Sequence, residues 1–250
     1  MFKICGLPEN TRDSAKRVND TLKSLRSLQK SKISAVDGHQ LKPKIVWKVE
    51  SYVQGVLYRT VAIVEGACRE WNNGNGLAAV ILSRSAFETG AVFLEFRTQF
   101  NNALNDGDLD RIDALTMRHI FSDKSEKSES SLWEIEALPS VMTFIDKLDR
   151  YLASAPAENV KGKPKPARSM YNFLSEIVHP NYFGTLGLYA ELDTSKALNV
   201  FDHKHALKPM VFAQILAGLV GADIVLTYAN EIFDKLPDLA QAASSHSDYA

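Results

Sequence analysis

Apolar side chains recur every three or four residues along most of this chain, and the breaks in that rhythm mark out its elements. From Thr11 to about Ser34, Val18, Leu22, Leu25 and Leu28 fall at helical spacing with lysines and arginines between them. This predicts a basic amphipathic helix and a turn, region 1–42, packed peripherally or on a partner. Pro43 suits the first position of a second helix, which runs to about Trp71 with Val46, Val49, Val53, Leu57, Val61 and Val64 along one side. "NNGNG" (72–76) stops it, because asparagine and glycine tolerate the left-handed conformation used at helix ends.

The third helix, about 77–104, is apolar nearly all round, the pattern of a central helix in a bundle. Asp108 can cap a short fourth helix over 109–121. "SDKSEKSESS" (122–131) lacks apolar residues and is expected to be a loop. A fifth helix is expected over 132–153, kinked or restarted at Pro139, with Val141, Met142, Ile145, Leu148 and Leu152 buried. A Pro/Lys linker (154–167) leads to "YNFLSEIVHPN" (171–181), a helix that ends at His179-Pro180. Residues 182–208 are irregular, with enough alternation in "GLYAELD" for a short β-hairpin near 186–202. Pro209 opens the last long helix to about Leu236, and 237–250 is expected to be a disordered tail. The fold class is all-α: a single bundle of six or seven helices over 43–236.

The chain has 250 residues, is 45% hydrophobic and balances 29 basic against 30 acidic side chains, a net charge of −1. Nucleic-acid binding driven by overall charge is therefore not expected, though a local basic patch stays open. The two cysteines, Cys5 and Cys68, form neither a disulfide framework nor a metal pattern. "VFAQILAGLVGADIVLTYA" (211–229) is the closest approach to a membrane span. It carries Gln214 and Asp223, and an aspartate at mid-bilayer costs roughly 3 kcal/mol, so a buried helix is expected instead. "MFKICGLPEN" lacks the apolar core of a signal peptide, and a cytoplasmic protein without a membrane segment is expected. No phosphate loop, nucleophile elbow, zincin or dinucleotide fingerprint occurs, so no cofactor is expected. Asp202, His203 and His205 in "DHKH" are candidate metal ligands, but alternating histidines in a lysine-containing loop are more often solvated and no metal is expected.

The polar residues inside apolar helices are the informative ones. Arg84 and Glu88 lie four apart and share a face of the third helix, with Glu95 further along. Charges in such a helix are rarely buried unless paired. Two readings stay open: an ion pair that fixes helix register, or a polar pocket of the kind that bundles build in their cores. His179 has the same two readings. An imidazole near a helix C-terminus is favoured by the macrodipole. With Ser175 one turn earlier, Glu176 beside it and Asn181 after the proline, it could also act as an acid–base group. Arg118 and His119 form a weaker pair near the 122–131 loop.

"SRSAFETGAVFLEF" (83–96) followed by "YNFLSEIVHPN" resembles a set of bacterial all-helical proteins with R-x-x-x-E and S-x-x-x-H-P motifs, matched here by Arg84, Glu88, Ser175, His179 and Pro180. The set is similar in outline to the HEPN superfamily of helical bundles. That resemblance implies the bundle fold, a homodimer, and ribonuclease or toxin activity in many members. HEPN ribonucleases place an arginine shortly before the histidine, where this chain has Asn172, Phe173 and Leu174, so Arg84 would have to supply the cation from another helix. Two functions remain. One is a non-catalytic module whose buried Arg84–Glu88–His179 network is structural and which binds a protein, a small ligand or RNA, with the basic first helix as a candidate surface. The other is a metal-independent ribonuclease in which His179 transfers protons, Arg84 stabilises the phosphorane and Glu88 orients them. The amphipathic 11–34 helix and the long apolar helices supply the face for self-association.

Overall fold

The computed structural model describes residues 1–5, 7, 9–37, 40–122, 137–154 and 165–245. The elements are α1 (Glu9–Leu28), β1 (Val36–Asp37), β2 (Gln40–Leu41), α2 (Lys44–Asn72), α3 (Gly76–Asn105), α4 (Leu109–Phe121), α5 (Val141–Ser154), α6 (Pro166–Val178), the single turn α7 (Leu186–Tyr189), β3 (Ala190–Asp193), β4 (Leu198–Phe201), α8 (Pro209–Gly218) and α9 (Val220–Ser244), with a 3-10 turn at His203–Leu207. The fold is all-α with two short antiparallel hairpins, β1–β2 and β3–β4. The 122–131 and 154–167 segments fall largely outside the described residues.

The central position expected of α3 holds, for it packs on α2, α4, α5, α6, α8 and α9. Its face toward α8 and α9 is made of small residues, and there the backbones nearly touch. A Cβ on Gly90 would lie 2.7 Å from the Gly221 Cα, and one on Gly221 would lie 2.1 Å from the Ala86 carbonyl oxygen. Only glycine permits that approach. A Cβ on Gly218 would likewise meet the Ser83 carbonyl at 3.0 Å. The expected single helix from Pro209 divides into α8 and α9 at one residue, Leu219 (φ −70°, ψ −6°), whose amide still bonds the Ile215 carbonyl. Gly76–Asp106 and Pro209–Ser244 are both apolar enough to cross a membrane by length and composition, but half of each apolar window is buried in the bundle.

Three other expectations change. The helix expected to run to about Ser34 ends at Leu28, and Ala15, Val18, Leu22 and Leu25 are buried in the common core, so α1 is part of the bundle. Its position is fixed by Asp223 of α9, which accepts from the Thr21 hydroxyl (2.5 Å) and pairs with Arg17 (2.7 Å). That aspartate is a helix anchor. The fifth helix starts at Val141 beyond Pro139, with 137–140 non-helical. The last helix continues through Pro237 to Ser244, where Leu239 and Ala243 are buried, so the expected tail is helical for most of its length.

Buried polar groups connect the remaining elements. Glu50 is 2% exposed and binds Lys30 (2.8 Å) and Lys42 (2.6 Å). Burial alone would raise its carboxyl; the two ammonium groups outweigh burial and hold it below the usual range. Gln54, one turn on, accepts from the Lys30 amide and donates to the Leu28 carbonyl, closing the α1 C-terminus. Asp149 of α5 receives the Ala167 (2.7 Å) and Arg168 (3.0 Å) amides, so it caps α6, whose own N-cap Lys165 offers no acceptor.

Candidate functional site

Arg84 and Glu88 meet as their spacing requires: Nε to Oε1 is 3.0 Å. The third member is Tyr171, not His179. The Arg84 guanidinium donates to the Tyr171 hydroxyl at 2.6 Å and lies 4.9 Å from the centre of its ring. Tyr171 is buried and belongs to a second apolar cluster with Phe87, Ala91, Leu94, Phe144, Ile145 and Leu148. The pair itself is half-buried. Among the described residues Arg84 thus bonds Glu88 along α3 and Tyr171 across to α6, and the second of these contacts braces the two helices.

His179 is exposed. The reason is the proline that follows it. Residue i−1 of a proline is sterically driven from the helical to the extended region, and His179 has φ −76° and ψ 146°. It is thus the C-cap and not a helical residue, and the shared face expected with Ser175 is lost at the last step. Ser175 instead returns its hydroxyl to the Tyr171 carbonyl (2.8 Å). Eight residues separate Tyr171 from His179, about 12 Å of helical rise. No hydrogen bond joins the imidazole to Arg84 or Glu88.

Asn181 organises the turn after the proline. Its amide donates to Glu176 (2.5 Å) and its side-chain oxygen accepts from the Gly184 amide (3.1 Å), while the Thr185 hydroxyl bonds its carbonyl (2.5 Å). A Cβ on Gly184 would stand 2.0 Å from the His179 carbonyl oxygen, so the chain folds tightly over the end of α6. Beyond it, Gly184, Leu186, Tyr189, Phe201 and His203 line an apolar depression of about 370 Å³. His203 lies edge-on to the Tyr189 ring at 5.8 Å. His205 bonds the Tyr189 carbonyl (3.1 Å) and lies 3.4 Å from Glu191. These histidines brace the turn under the β3–β4 hairpin. Among the described residues no group of three or more His, Cys, Asp or Glu is placed to hold a metal.

Two further polar clusters stand apart from Arg84, one unforeseen in the sequence and one around the His119 named with Arg118 above. On α9, Glu231 takes both arms of Arg97 (2.8 and 2.7 Å), the Asn101 amide (2.8 Å) and Lys235 (3.3 Å). Burial opposes ionisation there, but these donors keep the carboxyl below its usual range. His119, on α4, is wedged edge-on against Phe96 and Tyr52 with its Nδ1 3.1 Å from the Tyr52 hydroxyl. Burial, helped by Arg118, lowers its pKa to about 4 against the opposing pull of Glu95. Burial also raises the Tyr52 phenol. The phenol therefore keeps its proton beside a neutral ring, and the tautomer of that ring sets which of the two donates. Spacing could suggest Arg97–Asn101 as one helix face, but only the α3–α9 crossing brings Glu231 to it. Comparison with protein-family models, curated proteins and solved structures finds no match for this chain.

Proposed function

We propose that this protein is a non-catalytic helical interaction module that works in the cytoplasm and docks a protein partner on the end of the bundle spanned by residues 179–210. One observation carries the reading. Of 18 large apolar side chains that are exposed among the described residues, eight fall between Tyr182 and Met210. Scattered apolar side chains are ordinary on a surface, but a contiguous group marks an interaction site. The motif resemblance to HEPN-like bundles is compatible with this role, because folds of one kind host both catalytic and binding members.

The ribonuclease reading needs a cation and an imidazole on one phosphate. Arg84 is committed to Glu88 and Tyr171, and His179 stands at the surface away from both. The test is incubation of end-labelled RNA with the purified protein in EDTA, beside His179→Ala. Intact RNA in both is the expected result. Cleavage by the natural protein that disappears in His179→Ala overturns the module reading.

A further inference from the structure

We infer that the occupant of this surface is a second copy of the same chain, joined through the open edge of β4; the inference rests on the module reading above. The β3–β4 hairpin is a two-stranded sheet with Ala190 opposite Phe201, Glu191 opposite Val200, Leu192 opposite Asn199 and Asp193 opposite Leu198. All four residues of β4 are exposed. Beyond its pairing with β3, the strand has no backbone hydrogen bond to any other element among the described residues. An unpaired edge is a template for another strand, and proteins that must avoid pairing protect it with charge, proline or a bulge, or keep it very short. β4, "LNVF", is four residues long and carries no charge, proline or bulge.

The two edges of the hairpin differ. β3 carries Glu191 and Asp193, so a copy of itself would be repelled there, whereas β4 is uncharged. A two-fold axis perpendicular to the sheet would set β4 antiparallel to its copy and give the order β3–β4–β4–β3 with acidic outer edges. The assembly closes at two chains, as an isologous contact must. The flanking charges agree with that geometry. Lys196 precedes β4 and Asp202 follows it. Antiparallel pairing brings Lys196 of each copy toward Asp202 of the other at both ends of the contact.

The surface around that edge is apolar. Tyr182, Phe183, Leu192, Phe201 and Met210 are 55–66% exposed, and Leu186, Leu198 and Val200 are 40–46% exposed. With aromatic side chains offering ~150–250 Å² each and aliphatic ones somewhat less, the exposed apolar surface of this end comes to roughly 800 Å², and the edge contact covers the part of it beside β4. Leu192 and Phe201 lie on one face of the hairpin with Ala190, which continues into the depression beside Tyr189. Joining two hairpins doubles that apolar face.

The experiment is light scattering on the full chain at about 50 μM, with Phe201→Glu and Val200→Lys as edge variants and Tyr58→Lys, on exposed α2 surface, as the control. The natural chain and the control are expected at twice the 27.8 kDa chain mass. The two edge variants are expected at the single-chain mass with unchanged helical circular dichroism, a loss of at least tenfold in self-affinity. Amide exchange at 198–201 in the natural chain should slow as concentration rises, and this decides the matter if a variant unfolds. A natural chain that stays monomeric, a mass that grows beyond two chains, or a dimer whose 198–201 amides exchange at the same rate at every concentration overturns the inference. A monomer that leaves RNA intact removes the dimer and keeps the module reading. RNA cleavage dependent on His179 removes the module reading whatever the mass.

Discussion

The α3–α9 crossing and the 179–210 end use apolar and small residues in opposite ways. At the crossing, Gly90 and Gly221 give up side chains altogether so that backbones can meet, and no space is left for one more carbon. At the other end, Tyr182, Phe201 and Met210 hold large side chains mostly out in water. α6 links the two: Tyr171 near its start is buried, and His179 at its end is exposed. Residues that fix the fold are identified by what an added atom would hit. Residues that serve an encounter are identified by what a removed atom would not disturb.

The largest test of this contrast is Gly221→Val. Its Cβ would overlap the Ala86 carbonyl oxygen at 2.1 Å, and α9 would have to withdraw from α3, at an expected cost of about 3 kcal/mol or more. Urea denaturation measures it; a loss under about 1 kcal/mol would mean that the crossing is not tight. Acidification is comparable in size. His119 has a folded pKa of about 4 against about 6.5 unfolded, so its neutral form is favoured in the fold. Its contribution is complete above pH ~6.5 and is lost as pH falls toward 4, by about 3 kcal/mol. The lowered Glu50 and Glu231 carboxyls add a further loss only at lower pH, below the unfolded glutamate value of about 4.3. Denaturation midpoints across this range should slope, and His119→Gln should flatten the upper part of the slope. An unaltered slope in that variant would assign the effect elsewhere.

Smaller effects separate the two ends of α6. Tyr171→Phe removes one hydrogen bond from Arg84 and leaves Glu88 in place, an expected loss of about 1 kcal/mol. His179→Ala should stay within about 0.5 kcal/mol of the natural protein, as an exposed position does. Thermal denaturation of the pair reads both. A His179→Ala loss larger than that of Tyr171→Phe would reverse the assignment of buried and exposed ends.

Much of the bundle was legible from spacing, because burial of an apolar stripe repeats every turn. α2 and α4 lie within a residue or two of their expected limits, and α3 was identified as central by its lack of a polar face. The hairpin was visible in the alternation near 186–202. Arg84 and Glu88 were legible as a pair because both sit on one helix. Their third partner was not, since the register at which α6 crosses α3 depends on packing around Phe87 and Tyr171 and has no local trace. His179 was misplaced for a local reason that the sequence did contain: Pro180 withdraws the residue before it from the helix. The close approach of Gly90 to Gly221 was hidden because those glycines matter only through the atoms they meet on the other helix.

Asp149 has a consequence for how the chain tolerates change. It holds the first amides of α6 from α5, and Arg168 adds a two-armed bond to Asp146 (3.2 and 2.8 Å). The two helices are thus clamped to each other on either side of residues 155–164, independently of the length of chain between them. Joining two ends that are already held together costs only about 0.6 kcal/mol more for each doubling of the chain between them. That interval is therefore the natural place for evolution, or an experimenter, to insert a peptide or reporter without loosening the bundle.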